Sequence, residues 1–158
     1  MMTRFSKAGG LTLVELVVAT AIVGILAAIA IPSYTSYLDR TKISTAIADI
    51  QLIQLHLERY YTEYFRYPSN LGEMNVNLPN SGNDPWGNPY VYLNIINGGP
   101  GIMGDVRKDH ALNPINTNYD LYSMGKNGVT RKQISQTDSL DDIIVARDGG
   151  FVGLAADF

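Results

Sequence analysis

The sequence predicts an α+β protein: one long N-terminal helix, apolar in its first half and amphipathic in its second, followed by a small strand-bearing head. Three observations carry this reading. Positions 16–38 hold no charged residue. From Ile43 to Tyr64 apolar residues recur at helical steps of three and four. Beyond Pro68, short runs rich in β-branched and aromatic residues alternate with Gly, Pro and Asn clusters.

The chain has 158 residues, about one domain's worth. Charged residues make up 17%, against about 25% in an average chain. The deficit is concentrated in positions 16–38, which excludes a plain soluble domain. A net charge of −3 without a long Lys/Arg run argues against a nucleic-acid partner. There is no cysteine, so disulfides, thiolate catalysis and Cys-ligated zinc are excluded.

Residues 1–10, MMTRFSKAGG, form a short polar leader carrying Arg4 and Lys7. Leu11 to Ile31 is apolar except for Thr12, Glu15 and Thr20. As a helix this stretch measures roughly 31 Å, about one bilayer core. Residues 11–38 therefore read as membrane-spanning, with the positive leader cytoplasmic and the bulk of the chain on the far side. A secretory signal peptide is the alternative, because Ala28 and Ala30 supply an A-x-A pattern. Against it, the apolar stretch flows unbroken into a helical pattern beyond Pro32, and it carries Glu15 near its start. Pro32 removes one backbone hydrogen bond and crowds the turn at Ala28, so a kink is expected there.

An ionised carboxylate inside a bilayer costs several kcal/mol and usually has a functional partner. Glu15 could instead sit at the membrane edge and reach water. Gly10 followed by Leu11-Thr12-Leu13-Val14-Glu15, after a basic leader and before an apolar run, resembles the class III signal of the type IV pilin superfamily. The resemblance implies cleavage by a prepilin peptidase after Gly10 and N-methylation of Leu11, where most members carry Phe. Cleavage would free an amine on Leu11, one helical turn from Glu15. Between identical helices packed side by side, one subunit's Glu15 can then meet the next subunit's amine, a pairing that sets register. The resemblance also implies a helix that loosens between Gly24 and Pro32 in the filament.

The stripe Ile43, Ile47, Ile50, Ile53, Leu57, Tyr60 and Tyr64 faces one way; Asp39, Arg40, Lys42, Asp49, Glu58, Arg59 and Glu63 face the other. The helix is expected from Thr12 to Phe65, stopped by Tyr67-Pro68-Ser69-Asn70. His56 and the tyrosines at 60, 61, 64 and 67 read as surface or packing residues.

Residues 39–158 read as the globular part. Asp84-Pro85-Trp86-Gly87-Asn88-Pro89-Tyr90 is a turn pinned by an aromatic anchor, leading to a strand at Tyr90–Asn94. Asn97-Gly98-Gly99-Pro100-Gly101 opens an exposed excursion to about Asn118. Strands follow at Tyr119–Met124 and Ile143–Ala146, with a turn at Gly125-Lys126-Asn127-Gly128. The tail GGFVGLAADF offers apolar residues to cover the sheet or a neighbour. The glycines lack a phosphate-binding pattern, and Asp109-His110 has no positioned nucleophile, so no enzyme is expected.

The turn at 84–90 and the strand and turn at 119–128 resemble the major pseudopilins of type II secretion systems, with Asn127 in place of a turn Asp. This implies a pilin-like fold in which the helix packs on a small antiparallel sheet. Asp138, Asp141 and Asp142 form an acidic cluster that suits either a hard cation or a solvated turn. The resemblance implies a bound calcium ion with Asp142, Asp141 and Asp138 as ligands. It further implies a structural subunit of an inner-membrane-anchored filament, its head in the periplasm. The implied partners are identical subunits in a helical filament, minor pseudopilins, a prepilin peptidase and an inner-membrane assembly platform with its ATPase. The alternative is a type IV pilin of a surface pilus for adhesion, motility or DNA uptake. Such pilins often close a loop with a disulfide, which this chain cannot form.

Overall fold

The computed structural model describes Gly10 and residues 12–158. The rest of the leader and Leu11, the expected first residue after cleavage, lie outside the described residues. Helix α1 runs Leu13–Tyr64. The chain divides into two compact units, Met1–Asp39 and Arg40–Phe158, and each is described by itself.

In the first unit, α1 exposes its apolar side chains, Leu13, Val23 and Ile29 among them. By length and composition this is a helix able to cross a membrane. The helix continues through Pro32. Around the proline, Ser33 Oγ donates to the Ile29 carbonyl at 2.9 Å, and the Thr35 and Ser36 hydroxyls donate to the Pro32 carbonyl at 2.9 and 3.0 Å. Such bonds from Ser and Thr hydroxyls to a carbonyl three or four residues earlier are common in helices.

In the second unit, the remainder of α1 buries Ala46, Ile50, Ile53, Leu57 and Tyr60 against a four-stranded antiparallel meander. The strands are β1 (Val91–Asn94), β2 (Tyr119–Ser123), β3 (Ile143–Ala146) and β4 (Phe151–Leu154), in that spatial order. Successive strand residues point to opposite faces. Ile143 and Val145 meet the helix stripe, whereas Ile144 and Ala146 enter a second cluster with Ile115, Ile134 and Ala155. Both faces of β3 are covered, which is why all four of its residues are buried.

Three features differ from the sequence reading. The tail is not loose cover: Phe151–Leu154 is the edge strand β4, paired from Ile143↔Leu154 to Ala146↔Phe151. The excursion to Asn118 is not wholly exposed, since Val106, Arg107, Ile115 and Asn116 are buried. Its backbone is tied to the 132–134 segment through Lys108 N to the Lys132 carbonyl and Ile134 N to the Lys108 carbonyl, at 2.9 and 3.0 Å. Tyr64 leaves the stripe at 52% exposure and meets Tyr60 in a tilted ring contact, their centroids 4.5 Å apart.

The turn joining β3 to β4 takes Arg147 and Asp148 through positive φ, 53° and 51°. The Asp148 carboxylate holds it by accepting from Thr117 N, Thr117 Oγ1 and Asn118 N at 2.7, 2.8 and 3.2 Å. Asp is among the few residues that tolerate this left-handed backbone.

Candidate assembly site and loop clasp

Gly10 is exposed, with open space where a Cβ would stand. At the start of α1, Thr12 N and Thr12 Oγ1 both donate to Glu15 Oε2 at 3.0 Å, while Glu15 N donates to Thr12 Oγ1 at 3.2 Å. This reciprocal arrangement is a capping box, and the T-x-x-E spacing that encodes it is visible in the sequence. Glu15 is thus satisfied within its own subunit, at a helix end whose free N–H groups favour negative charge. Its carboxylate lies beside exposed Leu13, Val14 and Leu16. Gly24 and Pro32 both lie on this apolar stretch, Gly24 with open space around its Cα.

Polar groups of the head gather at the turn before β1 and the turn after β2. Asp84 is fully buried. Its Oδ1 accepts from Trp86 N and Asn88 N at 3.0 and 2.8 Å, shaping the 84–90 turn, and its Oδ2 accepts from Ser123 Oγ at 2.5 Å. Ser123 Oγ in turn accepts from Gly125 N at 3.0 Å, and Asn88 Nδ2 donates to the Gly125 carbonyl at 2.9 Å. The two turns that resemble the pseudopilins are therefore bonded to one another.

The structure brings each of the three aspartates to a different partner. Asp138, half-buried on a 3-10 turn, accepts from Arg131 Nε at 3.0 Å. Asp141 accepts from Asn127 N at 2.8 Å and from Asn127 Nδ2 at 2.6 Å. Asp142 is fully buried, and its Oδ2 accepts from Arg107 Nη2 and Thr130 Oγ1, each at 2.5 Å. Arg107 also donates to Thr130 and packs its guanidinium 4.2 Å over the Tyr122 ring. Burial pushes the Asp142 carboxyl above the usual range, and the bonds from Thr130 and Arg107 oppose that rise.

Calcium requires six to eight oxygens aimed at one point. Among the described residues no group of three or more His, Asp or Glu side chains is placed to hold a metal ion. Two buried polar atoms here lack partners, Asp142 Oδ1 and Arg107 Nε. They are one acceptor and one donor on the two halves of the same ion pair. A metal on Oδ1 would set a second cation against the guanidinium and leave Nε unmet. As arranged, these residues do not fit a calcium ion.

Sequence reasoning missed Arg107, Thr130, Asp120 and Asn116. Asp120 and Asn116 are buried, and Asp120 accepts from Arg107 N at 2.7 Å and Asn116 Nδ2 at 3.0 Å. The available signal was Val106 and Ile115, two isolated apolar residues flanking a polar loop.

The profile described as the prokaryotic N-terminal methylation motif matches residues 5–31. With a capped apolar helix and a helix-on-meander head, this motif defines the type IV pilin-like class. The type II secretion system core protein G of Pseudomonas aeruginosa is 35% identical over 138 residues, covering 75% of this chain and 84% of that protein. Its Aeromonas hydrophila counterpart is 27% identical over 140 residues, covering 77% and 85%. The type IV major pilin protein PilE1 of Neisseria gonorrhoeae is 39% identical over 72 residues, 46% of this chain and 44% of the pilin. No solved structure matches the chain. The chain belongs to the family of the type II secretion system core protein G, the pseudopilins.

Proposed function

We propose that this pseudopilin is a structural subunit, not an enzyme, and that it polymerises through its N-terminal helix into a periplasmic filament that drives folded proteins across the outer membrane. The carrying observation is coverage: similarity to core protein G extends over about three quarters of the chain, whereas the pilin match spans under half. Buried Asp84, Asp120 and Asp142 all serve hydrogen bonds that hold loops, which suits a mechanical part.

In this reading a prepilin peptidase cuts between Gly10 and Leu11, and Leu11 is then N-methylated. The subunit waits in the inner membrane with its head in the periplasm, following the positive leader. An assembly platform with its ATPase extracts it, and identical subunits, with minor pseudopilins, bury the apolar helix surface. Co-expression with a type II assembly system, followed by electron microscopy and mass spectrometry, tests this. Filaments built from chains that begin at Leu11 are expected. Polymer that retains residues 1–10 would refute the reading, and retraction-dependent surface pili would favour the pilin alternative.

Between Gly24 and Pro32 the helix combines a residue of low helical propensity with one that lacks an N–H. In the assembled filament, backbone amides across this stretch are expected to exchange faster than those of the flanking turns. Uniform protection from Leu16 to Tyr37 would contradict it.

A further inference from the structure

We infer that the connection between β2 and β3 is closed by the chain's own donors in place of a metal ion: the Asn127 amide serves Asp141, Arg131 serves Asp138 and Arg107 serves Asp142. Asn127 is the centre of the device. Both hydrogens of its side-chain amide are used, one on Asp141 Oδ1 at 2.6 Å and one on the Asp138 carbonyl at 3.0 Å. Its backbone N–H takes Asp141 Oδ2, and its Oδ1 accepts from Val129 N at 2.6 Å. A neutral residue thus satisfies both oxygens of a carboxylate and a carbonyl that would otherwise suit a cation.

The turn is shaped to allow this approach. Gly125 has φ 65°, and a Cβ there would run into the Asp141 carbonyl, so only glycine admits the contact. Ser139 Oγ completes the ring of donors and acceptors by taking Arg131 N at 2.7 Å and giving to the Arg131 carbonyl at 3.2 Å. Every carboxylate on the connection has a protein partner, and two of the three partners are permanent cations. One carboxylate oxygen, Asp142 Oδ1, is left without a protein donor, and to gather the several oxygens calcium needs a divalent ion would have to displace a guanidinium or the amide.

An aspartate at 127 would reverse the situation. Its carboxylate would face that of Asp141, two like charges within hydrogen-bond reach, a geometry relieved by a shared proton or by a cation between them. The experiment uses the full chain in detergent, melted in calcium chloride and in EGTA. The wild-type midpoint is expected to agree between the two within about 2 °C; a rise with calcium of more than about 4 °C would overturn the inference. Asn127→Asp is expected to melt lower in EGTA and to gain calcium dependence, and indifference to calcium would count against the amide's role. Asn127→Ser replaces the two side-chain amide donors with one shorter hydroxyl without adding charge, and its midpoint is expected to fall equally in both buffers. A wild-type midpoint for Asn127→Ser would likewise overturn the inference.

Discussion

Glu15→Ala subunits are expected to insert and be trimmed normally, yet to yield filaments at least about 100-fold less efficiently than the wild type. The argument begins with charge. Once the leader is removed, Leu11 carries an amine, and packing the apolar helices side by side takes that amine out of water. Removing one partner of a buried pair leaves the other uncompensated, at about 3–5 kcal/mol. Each 1.4 kcal/mol is about a factor of ten in an equilibrium. Glu15→Ala also removes the capping interaction with Thr12, worth about 1 kcal/mol, so a second variant is needed. Glu15→Gln keeps a capping box, because Gln serves at that position as Glu does, but it deletes the charge. If charge sets register, both variants fail alike in a filament pelleting assay, while mass spectrometry shows normal cleavage in each. Wild-type filament yield from Glu15→Ala would end the idea.

Arg107→Met is expected to lower the melting midpoint of the chain by about 10–20 °C. Arg107 and Asp142 have side chains only 3% and 0% exposed. Deleting the guanidinium leaves a buried carboxylate with Thr130 alone, and losses of about 3–5 kcal/mol follow from such stranding. The double variant Arg107→Met/Asp142→Leu replaces both charges with apolar groups, and it is expected to recover much of the loss. Circular dichroism melts of the three proteins check this. A single variant melting within about 2 °C of the wild type would show that the pair does not hold the excursion to the sheet.

The helix was legible almost to the residue, Thr12–Phe65 expected and Leu13–Tyr64 found. Apolar spacing and Pro68 are local signals, and local signals suffice for a helix. β3 was read at its true bounds because I-I-V-A is β-branched and bracketed by turn formers. β4 was missed because F-V-G-L carries a glycine inside a glycine-rich tail and pairs with a strand rather than announcing itself. The ion pair was invisible for a different reason. Arg107 and Asp142 stand 35 residues apart, and no periodicity relates two residues joined only by tertiary folding. The aspartates were visible as a cluster, but their separate partners, Asn127, Arg131 and Arg107, are set by how three loops meet. Thr12 is legible too: the spacing T-L-V-E encodes a cap, although the acid's place in an apolar run is the stronger local signal.

That cap changes the energetics of joining a polymer. In a lone subunit the acid is already engaged by Thr12 through Oε2. In the proposed filament a newcomer's Glu15 would trade the Thr12 hydroxyl and amide for a neighbour's amine, an exchange of partners in place of a bond made from nothing.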